Sequence, residues 1–233
     1  MKAMILAAGR GKRMRHLTDT TAKPLLKLWG KSLIEWQILS LKKAGFTDIV
    51  INTAHFSKQF EPQLGDGSRY GVSISYSVEG EDYSTSLETK GGIVNALNLL
   101  KDGNDPFAVV SGDIVTDFDY STLGAAAQKL KSEKLAAHLV LVPNPSFKST
   151  GDMTVKEGKI FREPKDYTYG NIAVFSPSIF EGESSEFAPL FPWLYNFVDK
   201  GLVSGELFTG KWANVGTPED LEFYETQKCF FDR

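Results

Sequence analysis

The chain has 233 residues, of which 42% are hydrophobic, enough for the core of one α/β domain or two small ones. A formal net charge of −3 gives no global basic field and argues against a nucleic-acid partner. The single cysteine, Cys229, excludes an internal disulfide and a Cys-x-x-Cys metal site, and no apolar run reaches the roughly 18 residues of a membrane span.

Residues 2–8 (KAMILAA) form a short apolar run and predict a buried strand. The stretch MKAMILAAG is too short and too soon interrupted for a signal peptide, so a cytoplasmic location is expected. Apolar spacing predicts a helix over 32–45, closed by Gly45. Strands are predicted at 47–54, 71–78, 106–113 and 135–143, with helices at 56–64, 91–100 and 119–132 between them. Beyond Pro143 the rhythm changes. A hairpin is predicted over 153–161 with Glu157-Gly158 at its turn, then a strand over 171–177 and a helix over 187–201. Two short strands are expected within 206–216. A last helix over 217–228 has Thr217 as N-cap and Pro218 at its first position.

The alternation over residues 1–143 predicts an α/β, Rossmann-like, doubly wound and mostly parallel sheet, and the later hairpins an added region within one domain, 1–233. Ligands then belong at the carboxyl ends of strands, in the loops near residues 7, 52, 78 and 112.

Residues 6–26, LAAGRGKRMRHLTDTTAKPLL, concentrate the chain's local positive charge. From Lys2 to Lys31 there are eight lysines and arginines against Asp19 alone. Small residues Ala7, Ala8, Gly9 and Gly11 let the backbone approach a ligand. The run is neither GxGxxG, since Met14 stands at the third glycine, nor GxxxxGK[ST]. Arg13 offers a planar fork to phosphate oxygens and Lys23 a compact charge. A surface cation is the simpler reading of Lys12, Arg15 and Lys27.

The segment resembles the signature loop of the sugar-1-phosphate nucleotidyltransferases, LAAGxGxRLxPxTxxxPKxL. Leu6, Ala7, Ala8, Gly9, Gly11, Arg13 and Lys23 fall in register, and His16 and Ala22 replace prolines. The resemblance implies that this loop wraps the phosphates of a nucleoside triphosphate, with Arg13 and Lys23 as catalytic cations. LETKGG (87–92) stands where LGTAGA is usual, which puts Gly91 beside the nucleoside. Glu79 is expected to bond the base or ribose. Ser111-Gly112-Asp113 matches the strand-terminal GD whose aspartate holds Mg²⁺, the implied cofactor. KWANVGTPEDL (211–221) matches WxDxGTPxxL, with Asn214 in place of the second metal-binding aspartate. FREPK (161–165) resembles FxEKP, which makes Glu163 and Lys165 sugar-binding candidates. Asn171, in place of a usual glycine, is a third.

By the same resemblance, residues 1–143 are the nucleotide-binding core and 144–233 the sugar-binding region with the C-terminal helix. The expected substrates are UTP and a sugar 1-phosphate, and the expected state is a monomer or small homo-oligomer. LGDGSRYG, the EGE after it, LETKGG and the NVGT end resemble the subgroup that acts on N-acetylmuramic acid 1-phosphate in cell-wall recycling, with extra residues at 82–86. A mannose- or glucose-1-phosphate nucleotidyltransferase is the rival reading, and a catalytically weak nucleotide-sugar sensor the rival from another class. His138, in an apolar strand, reads as a core residue, and His16 and His55 have no sequence partners.

Overall fold

A computed structural model describes residues 1–80 and 85–230. Residues 82–84 of the extra segment therefore lie outside the described residues. In chain order the strands begin with β1 (Ala3–Leu6), β2 (Lys27–Leu28), β3 (Lys31–Ser32), β4 (Asp48–Thr53), β5 (Ser73–Val78), β6 (Phe107–Ser111) and β7 (Ile114–Thr116). They continue with β8 (Ala137–Pro143), β9 (Thr154–Lys156), β10 (Lys159–Phe161), β11 (Tyr167–Phe175), β12 (Val203–Leu207) and β13 (Trp212–Asn214). The helices are α1 (Leu33–Lys43), α2 (Phe60–Leu64), α3 (Glu88–Leu100), α4 (Leu123–Glu133), α5 (Tyr195–Val198) and α6 (Pro218–Glu225).

Nine strands form one mixed sheet in the order β5-β4-β1-β6-β11-β8-β12-β10-β9. β5, β4, β1 and β6 run parallel, and β11 lies antiparallel between β6 and β8. Within the sheet β4 and then β5 lie to one side of β1 and β6 takes the other, so the chain reverses direction across the sheet at β1. That reversal leaves a crevice at the carboxyl end of β1, where Leu6 faces Asn52 on one side and Ser111 on the other.

The doubly wound architecture follows from strand periodicity. Ala3 and Ile5 point to a core shared with Ile34 and Ile38 of α1, Phe60 of α2 and Leu130 of α4. Met4 points to the opposite core with Ile93 and Leu97 of α3. A third cluster around Leu28, Val115 and Val215 joins the β2–β3 ribbon to the β7–β13 pair and α6. Residues after 143 thus complete the sheet and return to β7, just beyond the carboxyl end of β6.

The hairpin turn at Glu157-Gly158 has the positive φ values, 51° and 73°, that its sequence predicts. The helix expected over 187–201 contracts to α5. Pro189 and Pro192 lack amide donors and disfavour helical geometry in the residues before them. The helix expected from Gly91 begins earlier, at Glu88, and β11 begins four residues before the predicted strand.

Helix α1 opens with a capping box in which the Ser32 amide donates to Glu35 Oε2 at 2.9 Å. Burial raises the Glu35 pKa, but the Ser32 bonds, the Tyr70 hydroxyl and Arg69 outweigh it and hold the carboxyl below its ordinary value. A depressed folded pKa stabilises the protein above the carboxylate range and ceases to do so as pH falls. Glu35→Gln keeps an oxygen for the capping bond but loses the charge at the helix N-terminus, and is expected to cost about 0.5 kcal/mol at neutral pH. Denaturant unfolding should show that difference constant above about pH 5 and shrinking as pH falls below about 4. A loss independent of pH would contradict the assignment.

Candidate active site

The crevice at the switch point is a cleft of about 340 Å³. Its floor is Leu6, Ala7, Ala8, Gly9 and Gly11 of the loop after β1, and its walls include Asn52, Ser111 and Asp113 from the ends of neighbouring strands. Arg13, Lys23, Asn171 and Gly216 close it from further along the chain.

The loop is held from inside. Gly11 has φ 69°, and a Cβ there would stand 2.9 Å from Cβ of Lys23, so glycine serves both the turn and the passage of the lysine. Met14 is fully buried, and the Thr18 hydroxyl donates to the Gly11 carbonyl at 3.1 Å. At Ala22, where proline is usual in the resembled pattern, the amide donates to Gln59 Oε1 at 3.0 Å, while Gln59 Nε2 donates to the Thr20 carbonyl. A hydrogen bond to Gln59 thus restrains the loop where a ring would.

Lys23 is 7% exposed and donates from Nζ to Asp113 Oδ2 at 2.5 Å. The Ser111 hydroxyl donates to Asp113 Oδ1 at 2.7 Å. Burial pushes the Asp113 carboxyl up, but the Lys23 charge and these two hydrogen bonds prevail and keep it below the usual range. Asn214 enters from β13. It pairs with Ile114, and the next amide, Val215, donates to the Asp113 carbonyl at 3.0 Å. The Asn214 Oδ1 atom is buried and has no hydrogen-bond partner among the described residues, and Asn214 lies behind Asp113 rather than among the residues lining the cleft.

Arg13 lies against Gly216, where an added Cβ would meet its guanidinium nitrogens at 3.0 and 3.2 Å. Gly216 is fixed in turn because its amide and that of Thr217 both donate to Asp220 Oδ2 at 2.9 Å, inside the capping box of α6. Asn171 sits at φ 57° in the register shift of β11 against β8. That backbone suits glycine and tolerates asparagine, and the bulge turns the side chain to the cleft.

Other sequence candidates stand elsewhere. Glu163 and Lys165 are exposed after β10, 3.9 Å from each other, and do not line the cleft. Glu79 spends both oxygens on the protein, accepting from Asn52 Nδ2 at 2.6 Å and from the Leu87 amide at 2.8 Å. Gly91 packs against the backbone of residues 186–188, to whose Ala188 carbonyl its amide donates. Lys90, bulkier than the usual residue, pairs with Glu183 above Trp193. His138 is buried in β8 between Ser204 and Glu206, a satisfied core residue. Asn52, Ser86, Glu88, Thr89, Ser111 and Gly216 line the cleft but were not singled out as site residues. Of these, Asn52 carried a readable signal, a polar residue ending an apolar strand at the switch point.

A profile of the nucleotidyl transferase family matches residues 2–228. The chain belongs to this family. Its similarity to the N-acetylmuramate alpha-1-phosphate uridylyltransferase of Neisseria meningitidis serogroup B is 47% identity over 222 residues, 93% of this chain and 94% of that one. The UTP–glucose-1-phosphate uridylyltransferase of Synechocystis is 33% identical over 94% of this chain, which spans 61% of that longer protein. A crystal structure from Bacillus anthracis, described as a glucose-1-phosphate thymidylyltransferase, superposes with a TM-score of 0.81 over 97% of this chain and 94% of its own, at 22% identity. That likeness shows the nucleotidyl transferase fold.

Gly216→Ala tests the seat of Arg13. The displacement is a few tenths of an ångström, so kcat/KM for the nucleoside triphosphate is expected to fall about 10-fold, with little change in Tm. Unchanged kinetics would show that Arg13 does not depend on this contact.

Proposed function

We propose that the chain transfers a uridylyl group from UTP to N-acetylmuramic acid α-1-phosphate, giving UDP-N-acetylmuramic acid and pyrophosphate in peptidoglycan recycling. The observation that carries this reading is the 47% identity to the Neisseria relative along nearly the full length of both chains. The arrangement of charge in the cleft supports the reaction type.

In this reading a phosphate oxygen of the sugar 1-phosphate forms a bond to the α-phosphorus of UTP. The bond between that phosphorus and the oxygen bridging to the β-phosphate breaks, and pyrophosphate takes the electron pair. The attacking oxygen is already anionic near neutral pH, so the protein's task is to position charge and offset it. The backbone of residues 6–11 cradles the triphosphate. Arg13 faces the leaving pyrophosphate, and Lys23 bridges the attacking and α-phosphates once it shares its charge with them as well as with Asp113. Asn171 stands on the sugar side. We assign residues 1–143 to the nucleotide and 144–233 to the sugar and the closing helix.

The donor set fits a hard divalent cation. The Asp113 carboxylate and Asn214 Oδ1, which has no partner among the described residues, would supply oxygen ligands, and phosphate oxygens and water would complete such a shell. Mg²⁺ bound there would neutralise phosphate charge as the α-phosphorus is attacked. Mg²⁺ as the ion, a cytoplasmic location and a monomeric or small oligomeric state belong to the same proposal. Among the described residues no helix is long and apolar enough to cross a membrane.

Pyrophosphate release from UTP and Mg²⁺ tests the reading over N-acetylmuramic acid, N-acetylglucosamine, glucose and mannose 1-phosphates. A strong preference for the first is expected. Equal or better turnover with another sugar would overturn the sugar assignment, and no release with any would overturn the activity. Asn214→Asp adds charge at the metal position and is expected to lower the Mg²⁺ concentration giving half-maximal rate. An unchanged or raised requirement would remove Asn214 from the ion's shell.

A further inference from the structure

The loop after β1 and the start of α3 form opposite walls of the cleft, and no backbone hydrogen bond joins them among the described residues. They are joined by two side chains in series. The Ala7 amide donates to Asn52 Oδ1 at 2.9 Å, Asn52 Nδ2 donates to Glu79 Oε1 at 2.6 Å, and the Leu87 amide donates to Glu79 Oε2 at 2.8 Å. Leu87 is the N-cap residue of α3, so the carboxylate also meets the positive end of that helix. Asn52 is 2% exposed. Gly92 makes room for the pair, since a Cβ there would stand 2.4 Å from Glu79 Oε1 and 2.8 Å from Asn52 Nδ2.

Every donor and acceptor in this chain has one possible sense. The backbone amides only donate, which fixes Asn52 with its oxygen towards Ala7 and its nitrogen towards Glu79. The ionised carboxylate accepts at both oxygens.

We propose that Asn52 and Glu79 form a positioning clamp that sets the span between the phosphate loop and the head of α3, so that Glu79 acts on bound nucleotide through Asn52 and Leu87 and touches none of it. The part concerning nucleotide rests on the function proposed above; the clamp itself does not. Two groups that accept and donate in a fixed order can be exchanged. Moving the carboxylate to position 52 and the amide to position 79 keeps all three hydrogen bonds. The new carboxylate accepts from Ala7 and from the new amide nitrogen, whose oxygen accepts from Leu87. A ligand contact that depends on the carboxylate charge at position 79 would not survive that exchange.

The experiment compares wild type, Glu79→Gln, Asn52→Asp, the double variant Asn52→Asp/Glu79→Gln, and Gly92→Ala. Steady-state kinetics are read with UTP and the preferred sugar 1-phosphate, together with hydrogen exchange at the Ala7 and Leu87 amides. Each single change sets two donors or two carboxylates face to face. Each is expected to lower kcat/KM for UTP about 10- to 100-fold, to leave KM for the sugar within about twofold, and to speed exchange at both amides. Gly92→Ala should do the same, despite alanine's better helix propensity. The double variant should recover to within about fivefold of wild type and regain slow exchange at both positions. Losses that add, or a double variant that melts below either single one, would overturn the clamp. So would a Glu79→Gln protein with wild-type UTP kinetics and exchange. A wild type inactive with every substrate would instead overturn the proposed function, and the exchange pattern would still decide the clamp.

Discussion

The ion pair between Lys23 and Asp113 is the constraint around which the cleft is arranged. Two charges lie close together in a poorly solvated place, and removing one partner would strand the other at a cost of about 3–5 kcal/mol. A fold bears such a pair only if its surroundings hold it. The turn at Gly11 lets the lysine through, the Ser111 hydroxyl takes the second carboxylate oxygen, and β13 brings Val215 to the Asp113 carbonyl. Each of these comes from a different part of the chain, which is why the last strands must return to the edge of the first ones.

A pair of this kind is also a site in waiting. In the function proposed above, phosphate oxygens entering the cleft would offer Lys23 a second set of acceptors, and an oxygen-seeking cation would offer Asp113 a second charge. The exchange would replace one buried compensation by two, and the Asn214 oxygen, which has no partner among the described residues, would gain one. Arg13, more exposed and lying on Gly216, takes no part in that ion pair, and in the proposed reaction it would face the leaving group. Under the proposed function, substitutions at Lys23 would therefore act on stability as well as rate, a coupling invisible when it is treated as a lone phosphate-binding cation.

Much of this was legible in the sequence because it is local. Strand periodicity placed β1, β4 and β6, the switch point followed from alternation, and the small-residue loop with Arg13, Lys23 and Asp113 lay within or just after those strands. What escaped depends on distant segments meeting. Glu79 reads as a loop carboxylate free for a ligand until Asn52 and Leu87 are beside it. Glu163 and Lys165 were drawn from a local pattern, and the hairpin carries them to solvent. The helix over 187–201 has apolar spacing, but Pro189 and Pro192 disfavour helical geometry at Ala188 and Phe191, and Pro192 lacks the amide that would bond the preceding turn. Asn171 in place of glycine is understood only at its positive φ, which one sequence does not display.

The central claim is that Lys23 and Asp113 exchange their mutual compensation for a bound, metal-associated nucleotide. The shift in Tm produced by UTP, with and without Mg²⁺, measured for wild type and for Lys23→Gln, tests this without reference to any sugar. The account predicts a rise of several degrees for wild type that grows with Mg²⁺, and the loss of most of that rise in the variant. The same UTP-induced shift in both proteins, with or without the ion, would contradict it.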